Sequence, residues 1–448
     1  RGEGQREGKG MAVGLMLLLS LAAPAPLRVA IAGGGPGGLT LARALSSLPG
    51  RPCVATVYEA QSELRPAVGG GLQLSSGADV LDRLGVDVSR VGKPLRSVLS
   101  RKTNGDRLLQ LDVQAAMRAA GASRIGESAD GAFAITRTAL QAALVASLPE
   151  GTLLLGMPFK SATPTKGGQG VTCVFGDETI EADVLVGFDG ISSSVATKCF
   201  GNGPLDSIFQ PTSSGIRVIF CIAPGGMRPD GSVSQFHQWL GDGGYALSAS
   251  YGAGTDHVED MVVLCSTTAA MQDGEIGKSE NTGWEAGDGM VKERALRQAA
   301  VAGMPPEVIK VIKGSERFYE TEVRFRLPRL GWSRHGSIVL AGDAAHAMPP
   351  FLGQGANQAI CDAYALASLL KRVAPGGTPA GALAAFERAR LLPTTVLLLN
   401  SRILGFLETQ SADSFPGAAF RDLFFFVTGK LGIAKMIFLD GAIPKGID

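Results

Sequence analysis

The first pattern along the chain is a short apolar run, a helical stripe and a second apolar run. Residues 27–32 (LRVAIA) include β-branched side chains and predict a buried strand. The leucines of 39–48 (LTLARALSSL) recur at helical spacing, and the PGRP sequence at 49–52 ends that helix. Residues 54–58 (VATVY) predict a second strand. Together these segments predict a β-α-β unit.

Similar patterns return later, with a change in the middle of the chain. Helical spacing predicts helices at 78–84 and 139–148. From about 205 to 335 the runs GIRVIFCI, YALSASY and MVVLC alternate between glycine-rich turns, which predicts a mostly antiparallel sheet. Residues 337–341 (SIVLA) predict a buried strand, and a helix follows from about 355 to 371.

These elements predict the α/β fold class, with a Rossmann-like domain that is interrupted by an inserted sheet domain. The rest of the chain is helical and rich in phenylalanine. The divisions that we predict are an extension at 1–27, the two parts of the Rossmann-like domain at 28–204 and 336–375, the inserted domain at 205–335, and a C-terminal helical region at 376–448.

The N-terminal residues allow two interpretations. Residues 11–26 (MAVGLMLLLSLAAPAP) have the apolar core and small residues of a targeting leader or a membrane anchor. Pro26 follows the small-residue site, and Met11 has no cationic residue just after it, so a disordered extension explains the segment equally. Elsewhere the sequence contains no credible transmembrane span.

Composition and charge narrow the function classes. The chain has 448 residues, 45% of them hydrophobic, with 42 Lys and Arg against 41 Asp and Glu. This balance excludes a disordered acidic or basic chain and gives no electrostatic reason to bind nucleic acid. The 61 glycines are about twice the usual frequency of roughly 7% and indicate turns where backbone approaches backbone or ligand.

The six cysteines lie far apart, without a CxxC pair, and the four histidines form no cluster with them. The sequence therefore offers no ligand set for a metal site. Widely spaced cysteines indicate buried thiols in a reducing compartment, so we expect an intracellular protein, cytoplasmic or organellar.

The strongest motif is Gly33-x-Gly35-x-x-Gly38 between the first strand and its helix, with Glu59 at the end of the second strand. Gly33 permits the tight turn, Gly35 lets backbone N–H groups approach a pyrophosphate, and Gly38 lets helix and strand pack closely. Glu59 lies 21 positions after Gly38, where a carboxylate accepts ribose hydroxyls. This combination predicts a dinucleotide site.

A second turn favours FAD over NAD. The strand at 337–341 ends in Gly342-Asp343, where a carboxylate can accept a hydroxyl of a sugar-alcohol chain such as the ribityl chain of a flavin. Gly353 and Gly355 then present backbone N–H groups at a helix start, and that positive end suits the flavin edge on which negative charge collects.

With these motifs the sequence resembles the class A FAD-dependent monooxygenases, the para-hydroxybenzoate hydroxylase-like family, and most of all its salicylate hydroxylase and zeaxanthin epoxidase branches. The resemblance covers about residues 28 to 430 and rests on GGGPGG with Glu59, on Asp189-Gly190 after ADVLVGF, on GDAAHAMPP with GQGAN, and on Arg137-x-x-Leu140-x-x-x-Leu144. The resemblance makes the Rossmann-like parts an FAD-binding domain and 205–335 a substrate domain.

The resemblance also implies roles for individual residues. Arg137 would contact the FAD pyrophosphate, and Asp189 and Gly190 would be cofactor-binding. Pro349 and Pro350 would wall the flavin near its reactive carbon, with Gly353 to Asn357 holding the ring. Gln73 falls beside flavin or substrate.

The implied reaction uses NADH or NADPH and O₂ to hydroxylate or epoxidise a small aromatic or olefinic substrate through a flavin C4a-hydroperoxide. Two alternatives stay open: an FAD-fold oxidoreductase that inserts no oxygen, and a non-catalytic FAD-binding relative. One position departs from the family pattern. Ala196 stands where a pattern like DGxxSxxR usually has an arginine. The resemblance implies that this arginine helps to receive NAD(P)H, so its absence bears on the use of NAD(P)H.

Several other residues have a structural and a functional interpretation. His346 either supports the cofactor loop or carries a proton near the flavin. Asp189 either holds a loop and the ribose of FAD or acts as a general base. Arg324 and Arg326 either bind an acidic substrate or alternate along an exposed strand edge. Trp239 and Tyr245 line a cavity or pack in the core. The cluster 423–426 (LFFF) is helical core, a lid or a membrane-facing patch; with the N-terminus, it is the candidate for weak membrane contact.

Overall fold

The computed structural model describes residues 25–50, 52–64, 70–119, 131–165, 170–201, 210–229, 232–267, 285–286, 289–374, 376–414 and 416–446. Residues 1–24, which make up most of the predicted N-terminal extension, lie outside these ranges.

The strands are β1 (Leu27–Ala32), β2 (Cys53–Tyr58), β3 (Gly71–Leu74), β4 (Lys93–Pro94), β5 (Ser97–Lys102), β6 (Arg107–Asp112), β7 (Phe133–Thr136), β8 (Leu153–Leu154), β9 (Phe159–Pro164), β10 (Val171–Phe175), β11 (Glu178–Ala182), β12 (Val184–Gly187), β13 (Thr212–Pro224), β14 (Gln235–Leu240), β15 (Gly244–Gly252), β16 (Val258–Thr267), β17 (Glu285–Ala286), β18 (Arg317–Phe325), β19 (Ser333–Arg334) and β20 (Ile338–Leu340).

The helices are α1 (Pro36–Ser46), α2 (Ser76–Arg83), α3 (Val113–Ala119), α4 (Arg137–Ala146), α5 (Ser194–Phe200), α6 (Met290–Val301), α7 (Pro306–Gly314), α8 (Asp343–His346), α9 (Gly355–Leu370), α10 (Ala380–Glu408), α11 (Ala418–Lys430) and α12 (Ile433–Ala442). Short 3₁₀ turns lie at Val88–Arg90 and Pro350–Leu352.

A mostly parallel sheet forms the first layer, in the order β19-β20-β12-β1-β2-β8. Strand β1 pairs in parallel with β2 and β12, and β12 pairs in parallel with β20. Both α1 and a three-stranded antiparallel sheet, in the order β11-β10-β9, pack against this sheet. Strands buried in this way are continuous apolar runs. The predicted β-α-β unit is confirmed as β1-α1-β2, and α1 packs against α9.

The second layer is a larger sheet whose main path is β17-β18-β13-β16-β15-β14-β5-β6. The antiparallel pairs of β13 with β16 and β18, and of β15 with β14 and β16, confirm the antiparallel pattern predicted for 205–335. The sheet also takes β5 and β6, and beside them β3, β4 and β7, all of which the sequence analysis assigned to the first part of the FAD-binding domain. Residues 71–136 therefore contribute strands to the second sheet as well.

The C-terminal region is helical as predicted, with α10, α11 and α12 packed over the large sheet and beside α9. Among the described residues, α10 is long and apolar enough to cross a membrane by length and composition alone, and 39% of its most apolar window is buried. Leu383 and Phe386 of α10 belong to the main core, and its buried Arg390 pairs with Asp362 of α9. These contacts are those of a helix that packs on a globular domain.

All six cysteines are buried and free, which confirms the prediction of buried thiols. Burial raises their pKa values, to about 11 for Cys53 and about 12 for Cys265. Thiols held in this protonated state are poor nucleophiles.

Candidate active site

The turn after β1 depends on glycine for steric reasons. Gly33 has φ +107°, and a Cβ there would lie 2.5 Å from the carbonyl oxygen of Phe188. A Cβ on Gly38 would lie 2.1 Å from the carbonyl oxygen of Gly33. Gly35 is the N-cap of α1, where no side chain caps the helix, so the first-turn N–H groups are available to a ligand. The close packing predicted for Gly33 and Gly38 is present, although only Gly35 of the three lines a cavity.

Glu59 lies at the edge of this turn, as its position in the sequence predicts. The N–H of Gly34 donates to Glu59 Oε2 at 2.6 Å, and the N–H of Gln61 donates to Oε1 at 2.9 Å. Both bonds fix the carboxylate at the cavity wall, where each oxygen can accept a further hydrogen bond. Gln141, which the sequence analysis missed, also lines the cavity and holds the turn through a 2.7 Å bond from Nε2 to the carbonyl of Gly34.

Arg137 and Asp343 bring the two halves of the Rossmann-like domain together. Arg137 begins α4, lines the same cavity and lies beside Gly35. Asp343 begins α8 and lies deep in the molecule with its side chain open to the cavity. Desolvation raises the pKa of Asp343, and the neighbouring His346, Arg137 and Arg326 offset part of that rise.

The second glycine turn lines the same cavity. Gly353 has φ +63°, and a Cβ there would lie 3.2 Å from Gln73 Oε1. Gly355 begins α9, whose N-cap residue Gln354 likewise provides no side-chain cap. Two helix starts, those of α1 and α9, therefore open without side-chain caps onto one cavity.

Asn357 joins β3 to the second glycine turn. Its Oδ1 accepts from the N–H groups of Ser75 (2.8 Å) and Gly77 (2.9 Å). Its Nδ2 donates to the carbonyls of Gln73 (2.7 Å) and Gly353 (3.1 Å). Asn357 is fully buried and does not line the cavity, so it positions the cavity wall rather than touching a ligand. Gln73 lines the cavity beside Gly353.

Four other predicted residues do not line the cavity: Asp189, Gly190, Gly342 and Pro349. Asp189 accepts from Ser193 Oγ at 2.5 Å and from the N–H of Val195 at 2.9 Å, and thereby holds the start of α5. Burial raises the pKa of Asp189, with these hydrogen bonds opposing the rise. Gly190 lies in the same turn, with φ +75°. Pro349 is buried, and its carbonyl accepts a hydrogen bond from Ser401 Oγ at 2.6 Å. Of the two prolines, Pro350 lines the cavity.

His346 belongs to a buried ionic cluster behind the second turn. Its Nε2 lies 2.5 Å from Asp362 Oδ2, which also accepts from the N–H of Gly342 at 2.8 Å. Asp362 Oδ1 accepts from Arg390 Nε at 2.7 Å. Burial alone would raise the pKa of Asp362, but His346 and Arg390 lower it to about 2. His346 does not line the cavity, and the geometry favours its structural interpretation.

The two arginines considered for an acidic substrate lie elsewhere. Arg326 is buried and connects two loops, with Nη2 donating to the carbonyl of Ile191 at 2.6 Å and Nε to that of Asp343 at 3.2 Å. Arg324 lies 3.8 Å from the Glu322 carboxylate and does not line the cavity. Ala196, where the family usually has an arginine, is buried in α5.

The cavity has a volume of about 1310 Å³ and runs from the two helix starts to the large sheet. Ordinary small-molecule pockets measure roughly 300–1,000 Å³, so this one has room for a dinucleotide and a second ligand. Its far part is walled mainly by apolar side chains of the large sheet and of α11 and α12, among them Leu111, Phe236, Leu247, Phe424, Phe425 and Phe438. Tyr245 lines it, whereas Trp239 packs in the core beneath the sheet.

This arrangement fits FAD. Two uncapped helix starts can take the pyrophosphate and the flavin edge, Glu59 can take the ribose, and Asp343 can take the ribityl chain. Gly35, Gly353 and Gly355 line the cavity without a side chain that would occupy it.

Comparison with known proteins agrees with this fit. The family model for an FAD binding domain matches residues 325–398. A 3-amino-4-hydroxybenzoate 2-monooxygenase of Streptomyces platensis is 32% identical over 366 residues, which are 80% of this chain and 83% of that protein. The chloroplastic zeaxanthin epoxidase of Spinacia oleracea is 31% identical over 241 residues, 52% of this chain and 32% of that protein. A solved salicylate hydroxylase in a substrate complex superposes with a TM-score of 0.67 at 20% identity, covering 94% of this chain and 98% of that one.

These matches confirm the resemblance, FAD as the cofactor and a monooxygenase activity, with NAD(P)H and O₂ as the co-substrates that the family implies. They also decide against the two open alternatives of an enzyme without oxygen insertion and a non-catalytic relative. From its glycine turns, its continuous cavity and these relatives together, the chain belongs to the class A FAD-dependent monooxygenases.

Proposed function

We propose that FAD is held by the residues of the two glycine turns that line the cavity and by those that position them. The observation that supports this is the opening of the α1 and α9 starts onto one cavity. The residues that would hold FAD or shape its site are Gly33, Gly35, Gly38, Glu59, Arg137, Gly342, Asp343, Gly353, Gly355 and Asn357, with Gln73 and Pro350 beside the ring. Asp189, Gly190 and Pro349 support the surrounding loops instead.

When bound, FAD supplies the chemistry of hydride acceptance from NAD(P)H and of oxygen activation. The protein's part is to bind, orient and exclude water. The N–H groups at the start of α9 provide a positive field, and Pro350 and Phe351 form an apolar wall beside it. Dry walls of this kind protect reactive species from solvent.

We further propose that the substrate is an uncharged, largely apolar aromatic or olefinic molecule. Among the described residues that line the cavity, Arg137 is the only basic one, and it lies beside Gly35, at the turn that we assign to FAD. A substrate carboxylate would be buried here without a cationic partner, which is strongly unfavourable. The relatives act on both kinds of molecule by name, a hydroxybenzoate and zeaxanthin, and this cavity fits the second kind.

A matched set of naphthalenes tests this substrate class. With FAD-loaded protein and NADH or NADPH, 2-naphthol and 2-methylnaphthalene should stimulate nicotinamide oxidation, and 2-naphthoate should be at least about 100-fold less effective because its charge has no partner. Absorbance at the nicotinamide band gives the rate, and ¹⁸O₂ with mass spectrometry shows oxygen insertion. Stimulation by the carboxylate alone would contradict the proposal.

We also propose weak membrane association through the C-terminal helices. Most of the exposed large apolar side chains of the described residues lie on or between α10, α11 and α12, including Leu392, Phe406, Leu423, Phe426, Leu431 and Met436. The same helices wall the far part of the cavity, so the exposed face lies over the substrate space. Exposed apolar surface of this extent is typical of a contact with a membrane or another molecule.

Vesicle sedimentation tests the membrane contact. The double substitution L423S/F426S should lower the fraction bound to phosphatidylcholine–phosphatidylglycerol vesicles by about tenfold or more, since burying each such side chain contributes roughly 1.5–3 kcal/mol. Leu330→Ser is the matched control, because Leu330 is 76% exposed but lies outside these helices. Equal binding by all three proteins, or none by the unmodified protein, would refute this interpretation.

A further inference from the structure

A carboxyl group lies in the apolar part of the cavity, at a position that no motif marks. Glu408 is the last residue of α10, is 3% exposed and lines the cavity beside Tyr245, Phe424 and Phe425. A carboxyl group is rarely buried in such surroundings unless it has a partner. Its hydrogen bonds therefore indicate what the group is for.

One of its oxygens ends a chain of hydrogen bonds from the large sheet. Ser100 Oγ donates to Gln238 Oε1 at 2.7 Å, and Gln238 Nε2 donates to Glu408 Oε1 at 2.7 Å. All three residues line the cavity. Because Gln238 is fixed from the far side by Ser100, the orientation of the Glu408 carboxyl is fixed as well.

The other oxygen, Glu408 Oε2, is buried, and no described side chain meets it in hydrogen-bonding geometry, although the Tyr245 hydroxyl lies close to the carboxyl. A buried polar atom without a partner is unfavourable, so such an atom in a ligand cavity is typically satisfied by the ligand. No ion pair takes its place, since the neighbouring Arg421 donates to the carbonyls of Gly241 (2.5 Å) and Gln410 (3.0 Å) and pairs with Asp422.

The surroundings keep this carboxyl uncharged at neutral pH. Desolvation raises the pKa of Glu408 to about 8, although Gln238, Tyr245 and Arg421 each act to lower it. The facing groups Tyr245 and Cys265 are themselves neutral, because burial raises the pKa of each. A protonated carboxyl both donates and accepts a hydrogen bond, and a hydroxyl group is its complement.

We propose that Glu408 is a specificity residue that binds, through Oε2, a hydroxyl group on the ring of an otherwise apolar and uncharged substrate. This inference rests on the proposed substrate class and adds the polar contact that orients the substrate within it. A hydroxyl group also makes a ring electron-rich, which suits the oxygen transfer of this family. A carboxylate at the same place would meet the carboxyl of Glu408 and no cation.

Binding to the FAD-loaded protein, followed by calorimetry and by the change in flavin absorbance, tests the contact without turnover. The unmodified protein should bind 2-naphthol about tenfold more tightly than 2-methylnaphthalene, and Glu408→Met should bind the two equally. Glu408→Gln, which keeps an uncharged hydrogen-bonding group, should retain most of the preference. Thr428→Val is the control, because Thr428 lines the same cavity but donates to the carbonyl of Phe424 within α11.

The outcomes separate this inference from the proposed function. If both neutral probes bind and the preference for 2-naphthol is absent or survives Glu408→Met, the role of Glu408 is wrong and the substrate class stands. If (2-naphthyl)methylamine binds more tightly than 2-naphthol, Glu408 is a counter-ion for a cation and the inference is wrong. Binding of 2-naphthoate alone, or of none of the probes, would overturn the substrate class itself.

Discussion

Replacing Asp362 with Asn should lower the free energy of unfolding by about 3–5 kcal/mol, the loss typical of breaking a buried ion pair from one side. Arg390 would keep its charge with no carboxylate, since both side chains are fully buried. Asparagine has one acceptor oxygen in place of two, so either Arg390 Nε or the N–H of Gly342, which anchors the turn that carries Asp343, would lose its acceptor. We therefore expect weaker FAD retention together with the lower stability.

Urea unfolding followed by circular dichroism measures the first effect, and flavin absorbance after gel filtration measures the second. Asp177→Asn is the matched control, because Asp177 pairs with Lys160 on the exposed surface. That substitution should leave both the unfolding midpoint and the flavin content unchanged. An Asp362→Asn protein as stable as the unmodified one would show that the cluster contributes no net stability.

The pH dependence gives a second measure of the same cluster. The pKa of Asp362 falls from its usual 3.8 to about 2 in the folded protein. A carboxyl with a lowered folded pKa stabilises the fold above its unfolded pKa, and this contribution is lost as the pH falls from about 4 towards 2. The stability of the Asp362→Asn protein should accordingly fall less steeply over that interval.

Local patterns predicted the elements around the cofactor well. The strand at 27–32 has the predicted bounds, and the predicted helix from about 355 to 371 is observed as Gly355–Leu370. Both are continuous segments with a clear hydrophobic period. The strand ends directly before Gly33, and the helix ends one residue before its predicted end. Where the need for glycine is local, as in the positive φ of Gly33 or the approach of Gly38 to the carbonyl of Gly33, the residue type alone carries the information.

Contacts between distant parts of the chain were beyond those patterns. The strands at 71–74 and 133–136 are four residues each, too short to show which sheet they join. Glu408 meets Gln238 across 170 positions, and His346, Asp362 and Arg390 come from three helices. No spacing in the sequence brings these groups together, because the packing of α10 on the two layers determines their distances.

The Asp189 carboxylate makes its observed hydrogen bonds within its own turn, whereas the resemblance implies a contact with the cofactor. The Asp-Gly pair follows β12 as the resemblance implies, but the carboxylate is occupied by Ser193 and Val195 and stays out of the cavity. The motif gave the position of the turn correctly. Only the hydrogen bonds show what the side chain contacts.

Replacing Asn357 with Leu should have the second large effect, lowering the free energy of unfolding by at least about 3 kcal/mol and weakening FAD binding by about 100-fold or more. The side chains are similar in size, but Leu would leave four buried backbone groups without their partner: the N–H groups of Ser75 and Gly77 and the carbonyls of Gln73 and Gly353. The wall that joins β3 to the start of α9 would then separate. Fluorescence titration of the apoprotein with FAD measures the affinity.

The substitution Asn357→Asp separates the contribution of the amide oxygen of Asn357 from that of its NH₂ group. The aspartate keeps acceptors for Ser75 and Gly77 but loses the paired donors to Gln73 and Gly353, on the side of the amide that faces the proposed ring site. We expect it to lose most of the FAD affinity that Asn357→Leu loses, because the turn at Gly353 is released in both variants. Asn104→Leu, in an exposed turn, should alter neither property. If Asn357→Asp bound FAD as tightly as the unmodified protein, the donors of Asn357 could not be what holds the Gly353 turn in place.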